Sequence, residues 1–297
     1  MKRVALFLLT NLAIIVVGGV VLNLLGFTGV LAQNGVDLDM RSLFLFALVF
    51  GFAGSFISLL ISKPMAKMAA RVQIIDQPRS HQERWLMDTV AELARKAGIG
   101  MPEVGIFPAQ QANAFATGWN KNKALVAVSE GMLQRFSAEE VKAVMAHEIG
   151  HVANGDMVTL SLVQGVVNTF VIFFARIIGY LVDRVVLKNE RGLGPGYYIT
   201  SFVMDIVLGF IAMMIVAWFS RQREYRADAA GAQLADRRGM ISALQRLKAE
   251  YGVPNQMPDS MVAFGINGGG LQGLKAMFAS HPPLDDRIAA LTEQRHG

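Results

Sequence analysis

The run His147-Glu148-Ile149-Gly150-His151 is where residue types and spacing can do chemistry. On an α-helix, two histidines four residues apart share a face, so their imidazoles converge on one cation. Glu148 is displaced around the helix from that pair. It is placed to act on a metal-bound water rather than to bind the metal. The spacing also arises by chance in His- and Glu-rich helices, where it gives two solvated histidines. Here the whole chain holds 5 histidines and spends two on this interval, so one Zn2+ per chain is expected on His147 and His151.

A catalytic zinc takes three protein ligands and keeps a position open for water. Cysteine is absent, which removes thiolate ligands, thiol nucleophiles and any disulfide framework. A third histidine in the extended motif would put glycine and histidine at positions 154 and 157, which are Asn154 and Met157. A carboxylate remains. Glu224 and Asp228 share a helical face, so one can bind zinc while the other accepts a hydrogen bond from a ligand histidine and fixes its tautomer. The plainer reading pairs Glu224 with Arg221 or Arg223. His281, on a loop just before Pro282-Pro283, can stabilise an oxyanion, although alone it reads as a surface histidine. His81 and His296 read as surface residues.

These side chains need elements to position them. Ser137 and Glu140 form a capping box ahead of the zinc-motif helix, and Asn154-Gly155 stops it. Ser80 and Glu83 form a second box before a helix carrying Leu86, Val90, Leu93 and Ala97 and ended by Gly98. Strand-like pieces follow at 104–107, 113–117 and 125–128, with the polar turn Asn120-Lys121-Asn122-Lys123 before the last. An unpaired edge strand here can hold an extended peptide by backbone hydrogen bonds; the alternative is a sheet that only packs the helix. Further helices are expected over 240–251 and after Pro283, with a Pro/Gly/Asn loop through 270 between them.

Composition places this chemistry at a membrane. Hydrophobic residues make up 53% and charged ones 17%, too apolar for an ordinary soluble domain. Apolar runs at 4–25, 43–61, 158–182 and 198–219 are long enough to span a bilayer, and the first is too long for the apolar core of a signal peptide. Basic residues flank the first two runs (Lys2, Arg3, then Lys63, Lys67, Arg71) and follow the fourth (Arg221, Arg223, Arg226), so those ends should face the cytoplasm. The net charge of +5 has no basic-aromatic stripe and fits a membrane surface rather than nucleic acid. Arg176 and Asp205 meet at one depth if the third and fourth runs pair as a hairpin; otherwise Arg176 snorkels. For both motifs to reach one ion, an even number of crossings must separate them, which two spans or a re-entrant hairpin supply. The expected parts are 1–62, a transmembrane hairpin; 63–156, a cytosolic protease part; 157–220, a second transmembrane or re-entrant hairpin; and 221–297, a cytosolic part with the third ligand.

Asn113-Ala114-Phe115-Ala116, His147-Glu148-Ile149-Gly150-His151, Glu224-Tyr225-Arg226-Ala227-Asp228 and Ser280-His281-Pro282-Pro283-Leu284-Asp285-Asp286-Arg287 together resemble the motifs of the HtpX family of bacterial membrane metalloproteases, and more distantly those of the prenyl-protein endoproteases. The resemblance covers essentially the whole chain. It implies a mainly α multi-span helical membrane protein with a small β-sheet and a gluzincin-like cytosolic zinc-protease domain. It implies zinc on His147, His151 and Glu224, Glu148 as catalytic acid/base, Asp228 behind His147, and His281 assisting the tetrahedral intermediate. Asn113, Ala114, Phe115 and Ala116 become the substrate-binding edge strand. It further implies stress-linked quality control of polypeptide substrates, chiefly misfolded or damaged membrane proteins, at the cytoplasmic face of the bacterial inner membrane. A site-specific processing protease would need a shaped side-chain pocket, and a non-catalytic metal-binding scaffold would tolerate loss of Glu148. A transporter would need more charge at mid-span than Arg176 and Asp205 offer.

Overall fold

The structure, a computed structural model, describes residues 39–250 and 281–293. The first apolar run, the loop through 270 and His296 lie outside the described residues. Eight α-helices and four strands are described: α1 (Met40–Ala69), β1 (Gln73–Ile74), α2 (His81–Ala97), β2 (Glu103–Phe107), β3 (Ala114–Thr117), β4 (Leu125–Ser129), α3 (Glu130–Arg135), α4 (Ala138–Asn154), α5 (Asp156–Leu181, continued by a π-helical turn Val182–Val186), α6 (Pro195–Leu234), α7 (Arg237–Ala249) and α8 (Leu284–Glu293). The chain divides into two compact units. Among the described residues, one holds 39–54 with 164–212, the other 55–163 with 213–250 and 281–293.

In the first unit the apolar runs are long helices. Three helices are long and apolar enough to cross a membrane: Met40–Ala69, Asp156–Val186 and Pro195–Leu234. They outrun the apolar stretches that signal them; α1 continues through Pro64 to Ala69, and α6 carries its helix on into the Glu224–Asp228 segment. Phe46, Val49 and Phe50 of α1 and Phe202 and Phe210 of α6 face outward, a surface that lipid tails cover. Within the unit, Phe44 meets Phe173 edge-on at 5.6 Å. Arg176 and Asp205 do pair, at 2.9 Å, so the charge at that depth is compensated. Gly179 lets α5 and α6 touch: a Cβ there would lie 2.1 Å from Ser201 Oγ, the small-residue contact expected between membrane helices.

The second unit is built on a four-stranded sheet of order β1-β2-β4-β3. β2 and β4 run parallel, Glu103 opposite Leu125 through Phe107 opposite Ser129. β3 runs antiparallel to β4, Ala114 opposite Val128 and Thr117 opposite Leu125, and forms one edge. The two-residue β1, at the other edge, is too short to carry a period-2 signal in the sequence. Both faces of the sheet are covered. Val126 and Val128 join the main core with Leu86, Val90 and Leu93 of α2, Val144 and Ile149 of α4, and Leu244 and Leu247 of α7. Leu125 and Ala127 face the other way, with Phe107, Phe115 and Ala66. Burial on both faces is why β4 reads as an unbroken apolar run instead of an alternating one.

The caps largely follow the residues that encode them. Ser137 Oγ accepts from the Glu140 N–H while the Glu140 carboxylate accepts from the Ser137 N–H, and Gly155 closes α4 at φ +65°. At α2, Ser80 accepts from the Glu83 N–H, but the Glu83 carboxylate takes the Arg79 N–H. The second capping box is therefore displaced by one residue on its return arm.

Candidate metal centre

α4 and α6 carry the polar residues that meet in the interior of the second unit. Their approach is set by small residues: a Cβ on Gly150 would lie 2.9 Å from the Ala230 Cβ and 3.4 Å from the Ala227 carbonyl. The glycine inside the histidine motif therefore lets the two helices close until side chains from both reach one point. His147 and Glu224 are 1% exposed, and Glu148 is 2% exposed.

Three donor sets converge there. His147 Nε2 and His151 Nε2 are 3.1 Å apart. Glu224 Oε1 lies 3.2 Å from His151 Nε2, and Glu224 Oε2 lies 3.7 Å from His147 Nε2. Two ligand atoms about 2.0–2.1 Å from one tetrahedral ion stand roughly 3.3 Å from each other. The separations match that value, and among the described residues these three form the group able to hold a metal. The residues fit the zinc that the motif calls for.

The outer faces of both imidazoles are engaged by carboxylates. Asp228 Oδ1 sits 2.9 Å from His147 Nδ1, off the straight hydrogen-bond line. Asp156 Oδ2 sits 2.7 Å from His151 Nδ1 in a well-directed bond. Both histidines thereby present Nε2 to the centre. Arg287 of α8 is fully buried and forks onto Asp228, with Nε to Oδ2 at 2.8 Å and Nη2 to Oδ1 at 2.6 Å; its Nη1 lies 3.3 Å from Glu224 Oε2. His281 Nδ1 is 2.9 Å from Glu224 Oε2, and its side chain is 9% exposed. The surface reading of His281 and the reading of Glu224 as a partner of Arg221 or Arg223 are both overturned: the carboxylate is surrounded by three imidazoles and the Arg287 guanidinium.

Electrostatics follow from burial and these partners. Burial pushes the Glu148 carboxyl up to about 7, against the opposing pull of His151, Arg287 and the Ala116 N–H. Burial also holds His147 below its usual value, despite Asp228. At His151 burial acts in the same direction but is outweighed by the bonds to Asp156 and Glu224, which lift it to about 10.

A cavity of about 110 Å³ opens beside the centre, lined by His147, Glu148, His151, Glu224 and His281, by Ala116 and Thr117 of β3, and by Ser58, Ser62, Met157 and Ser161 of the long helices. The edge strand reaches the cavity at its Ala116 end. Ala116 donates its N–H to Glu148 and so turns that group away from β4. Asn113 is buried deeper, its N–H on Ser129 Oγ at 2.9 Å. Motif spacing alone does not reveal Asp156 and Arg287 as part of the site. Asp156 had a legible signal, five residues past His151 and just after the helix stop; Arg287 had only its place in the last motif.

Residues 80–295 match the model of Peptidase family M48. The chain is similar to Protease HtpX of Alcanivorax borkumensis, 70% identical over 298 residues and all of both chains. It is also similar to Protease HtpX of Pseudomonas putida (strain GB-1), 65% identical over 291 residues, 98% of this chain and 99% of that one. Among solved structures it resembles Ste24p of S. mikatae with a TM-score of 0.61 at 17% identity, covering 98% of this chain and 67% of that one; that likeness concerns the fold. With residues 80–295 on that family model and whole-length relatives of this identity, the chain belongs to Peptidase family M48 and is a membrane-bound metalloprotease.

Proposed function

We propose that the chain is a zinc endopeptidase of the bacterial inner membrane that hydrolyses peptide bonds of misfolded or damaged membrane proteins at the cytoplasmic side, as part of stress-linked quality control. One zinc ion would be held by His147, His151 and Glu224. The observation that carries the reading is the set of three donors 3.1–3.7 Å apart at the wall of a cavity that Glu148 also lines. Bound there, zinc supplies Lewis acidity that brings the pKa of a water it holds to about 7.

The remaining work belongs to the protein. Glu148 takes the proton of the attacking water on its carboxylate and returns it to the leaving amine. Its burial favours this role, because a base whose pKa is raised towards neutrality accepts and returns a proton most readily near neutral pH. Asp228 holds the His147 ring by its Nδ1 side. His281 assists the developing oxyanion; its position on the cavity wall supports this. Asn113, Ala114, Phe115 and Ala116 hold the substrate as an added strand at the β3 edge, with Ala116 the residue that meets the cavity. Main-chain pairing gives affinity without demanding a side-chain sequence, which suits unfolded segments as substrates. Charge placement supports the orientation: Lys63 and Lys67 end α1, and Arg221, Arg223 and Arg226 follow the apolar part of α6.

Glu148→Ala should abolish cleavage of casein and of a loosely folded membrane protein while retaining zinc. Glu224→Ala should lose both zinc and cleavage. Metal content and proteolysis measured on both purified proteins check this, and an active Glu148→Ala enzyme would end the mechanism.

A further inference from the structure

Asp156, the first residue of α5, has no part in the mechanism above. Its side chain is 3% exposed, and Oδ2 lies 2.7 Å from His151 Nδ1. Its backbone carbonyl accepts from Arg223 Nη1 at 3.2 Å, while Arg223 Nη2 donates to Ser220 Oγ at 2.8 Å. The chain arrives at Asp156 through Gly155, whose N–H bonds the His151 and Val152 carbonyls. Asp156 is thus fixed by a left-handed turn on one side and by a guanidinium from α6 on the other, before its carboxylate meets the imidazole.

We propose that Asp156 is a positioning residue for the metal centre: it orients His151, commits the His151 Nδ1 proton, and leaves Nε2 as the donor facing the cation. This rests on the reading of His151 as a metal ligand. A ligand histidine whose other nitrogen donates to a carboxylate is fixed in tautomer and made more basic. The two histidines are served differently. Asp228 shares its charge with the Arg287 fork and meets His147 off-line, whereas among the described residues the Asp156 carboxylate has no guanidinium on it and meets His151 directly. The residue that orients His151 is also the residue on which the long apolar helix α5 begins.

The test uses the full chain in detergent, as Asp156→Asn, which keeps the shape and removes the charge, and as Asp156→Ala. Zinc affinity by chelator competition should fall about 10–100-fold for Ala and less for Asn. The visible absorption bands of the cobalt-loaded protein should move in both variants. The melting temperature of metal-free Asp156→Asn should match that of the parent, and cleavage should lose kcat with KM little changed. Parental zinc affinity and parental cobalt bands in both variants would overturn the proposal. So would a loss of affinity that appears only together with a lowered metal-free melting temperature. Glu224→Ala, measured alongside, separates the two levels: if it keeps its zinc, the reading of the centre has failed; if it loses zinc while the Asp156 variants do not, only the role of Asp156 has.

Discussion

Two imidazoles whose Nδ1 sides both face carboxylates cannot leave bare lone pairs on Nε2 atoms 3.1 Å apart without a cation between them. In the metal-free protein a proton takes that place, on His151, where Asp156 and Glu224 outweigh burial and lift the imidazole to about 10. Zinc must displace it, because a ligand histidine binds as the neutral ring. At pH 6 a water held by zinc keeps its protons, so zinc uptake should release the His151 proton together with that of Glu148, whose carboxyl burial holds at about 7, because a nearby dication favours the carboxylate. Glu148→Gln at the same pH should release only the His151 proton. Calorimetry in two buffers of different ionisation enthalpy measures it, and equal release by both proteins at pH 6 would contradict the assignment.

Between elements, the contact that decides the site is the crossing of α4 and α6 at Gly150. It brings His147 and His151 to Glu224 and Asp228, across more than seventy residues of chain. Gly150→Ala would place a methyl group 2.9 Å from the Ala230 Cβ. Overpacking of this kind costs about 1–3 kcal/mol, and here the relief is to move the helix that carries Glu224. We expect lowered stability and weaker zinc binding in Gly150→Ala, with recovery in Gly150→Ala/Ala230→Gly, where the opposing methyl is gone. Thermal unfolding and chelator competition on both proteins check this. A Gly150→Ala protein with parental affinity would mean the helices have slack that the close contact conceals.

On the scale of the whole molecule, the three long apolar helices bind the chemistry to a bilayer. Two of them run into the neighbourhood of the metal centre: α5 begins at Asp156, and α6 carries Glu224 beyond its apolar part. The absence of cysteine makes the orientation measurable by single introduced thiols. In sealed right-side-out membranes, Lys121→Cys in the turn before β4 should resist a membrane-impermeant maleimide, and Glu190→Cys between α5 and α6 should react. Protection of both would favour a re-entrant hairpin over two full crossings.

The sequence by itself determined what was local. The interval of His147 and His151, the Ser137 to Glu140 capping box, the left-handed stop at Gly155 and the apolar runs long enough to span a bilayer are encoded within a few residues or a single helix, so periodicity and residue type reveal them. It also narrowed the third donor to a carboxylate, because Asn154, Met157 and the lack of cysteine closed the other routes. Tertiary structure alone decided what depends on chain segments far apart. It placed His281 against Glu224 instead of in solvent, set Arg287 as a buried fork on Asp228, and gave His151 its partner in Asp156. It also gave Gly150 a reason, since nothing near a glycine in sequence tells which backbone will approach it. The division has one physical cause: secondary structure is written in short-range sterics and hydrogen bonds, whereas the surroundings of a buried charge are fixed by whichever elements the core happens to bring together.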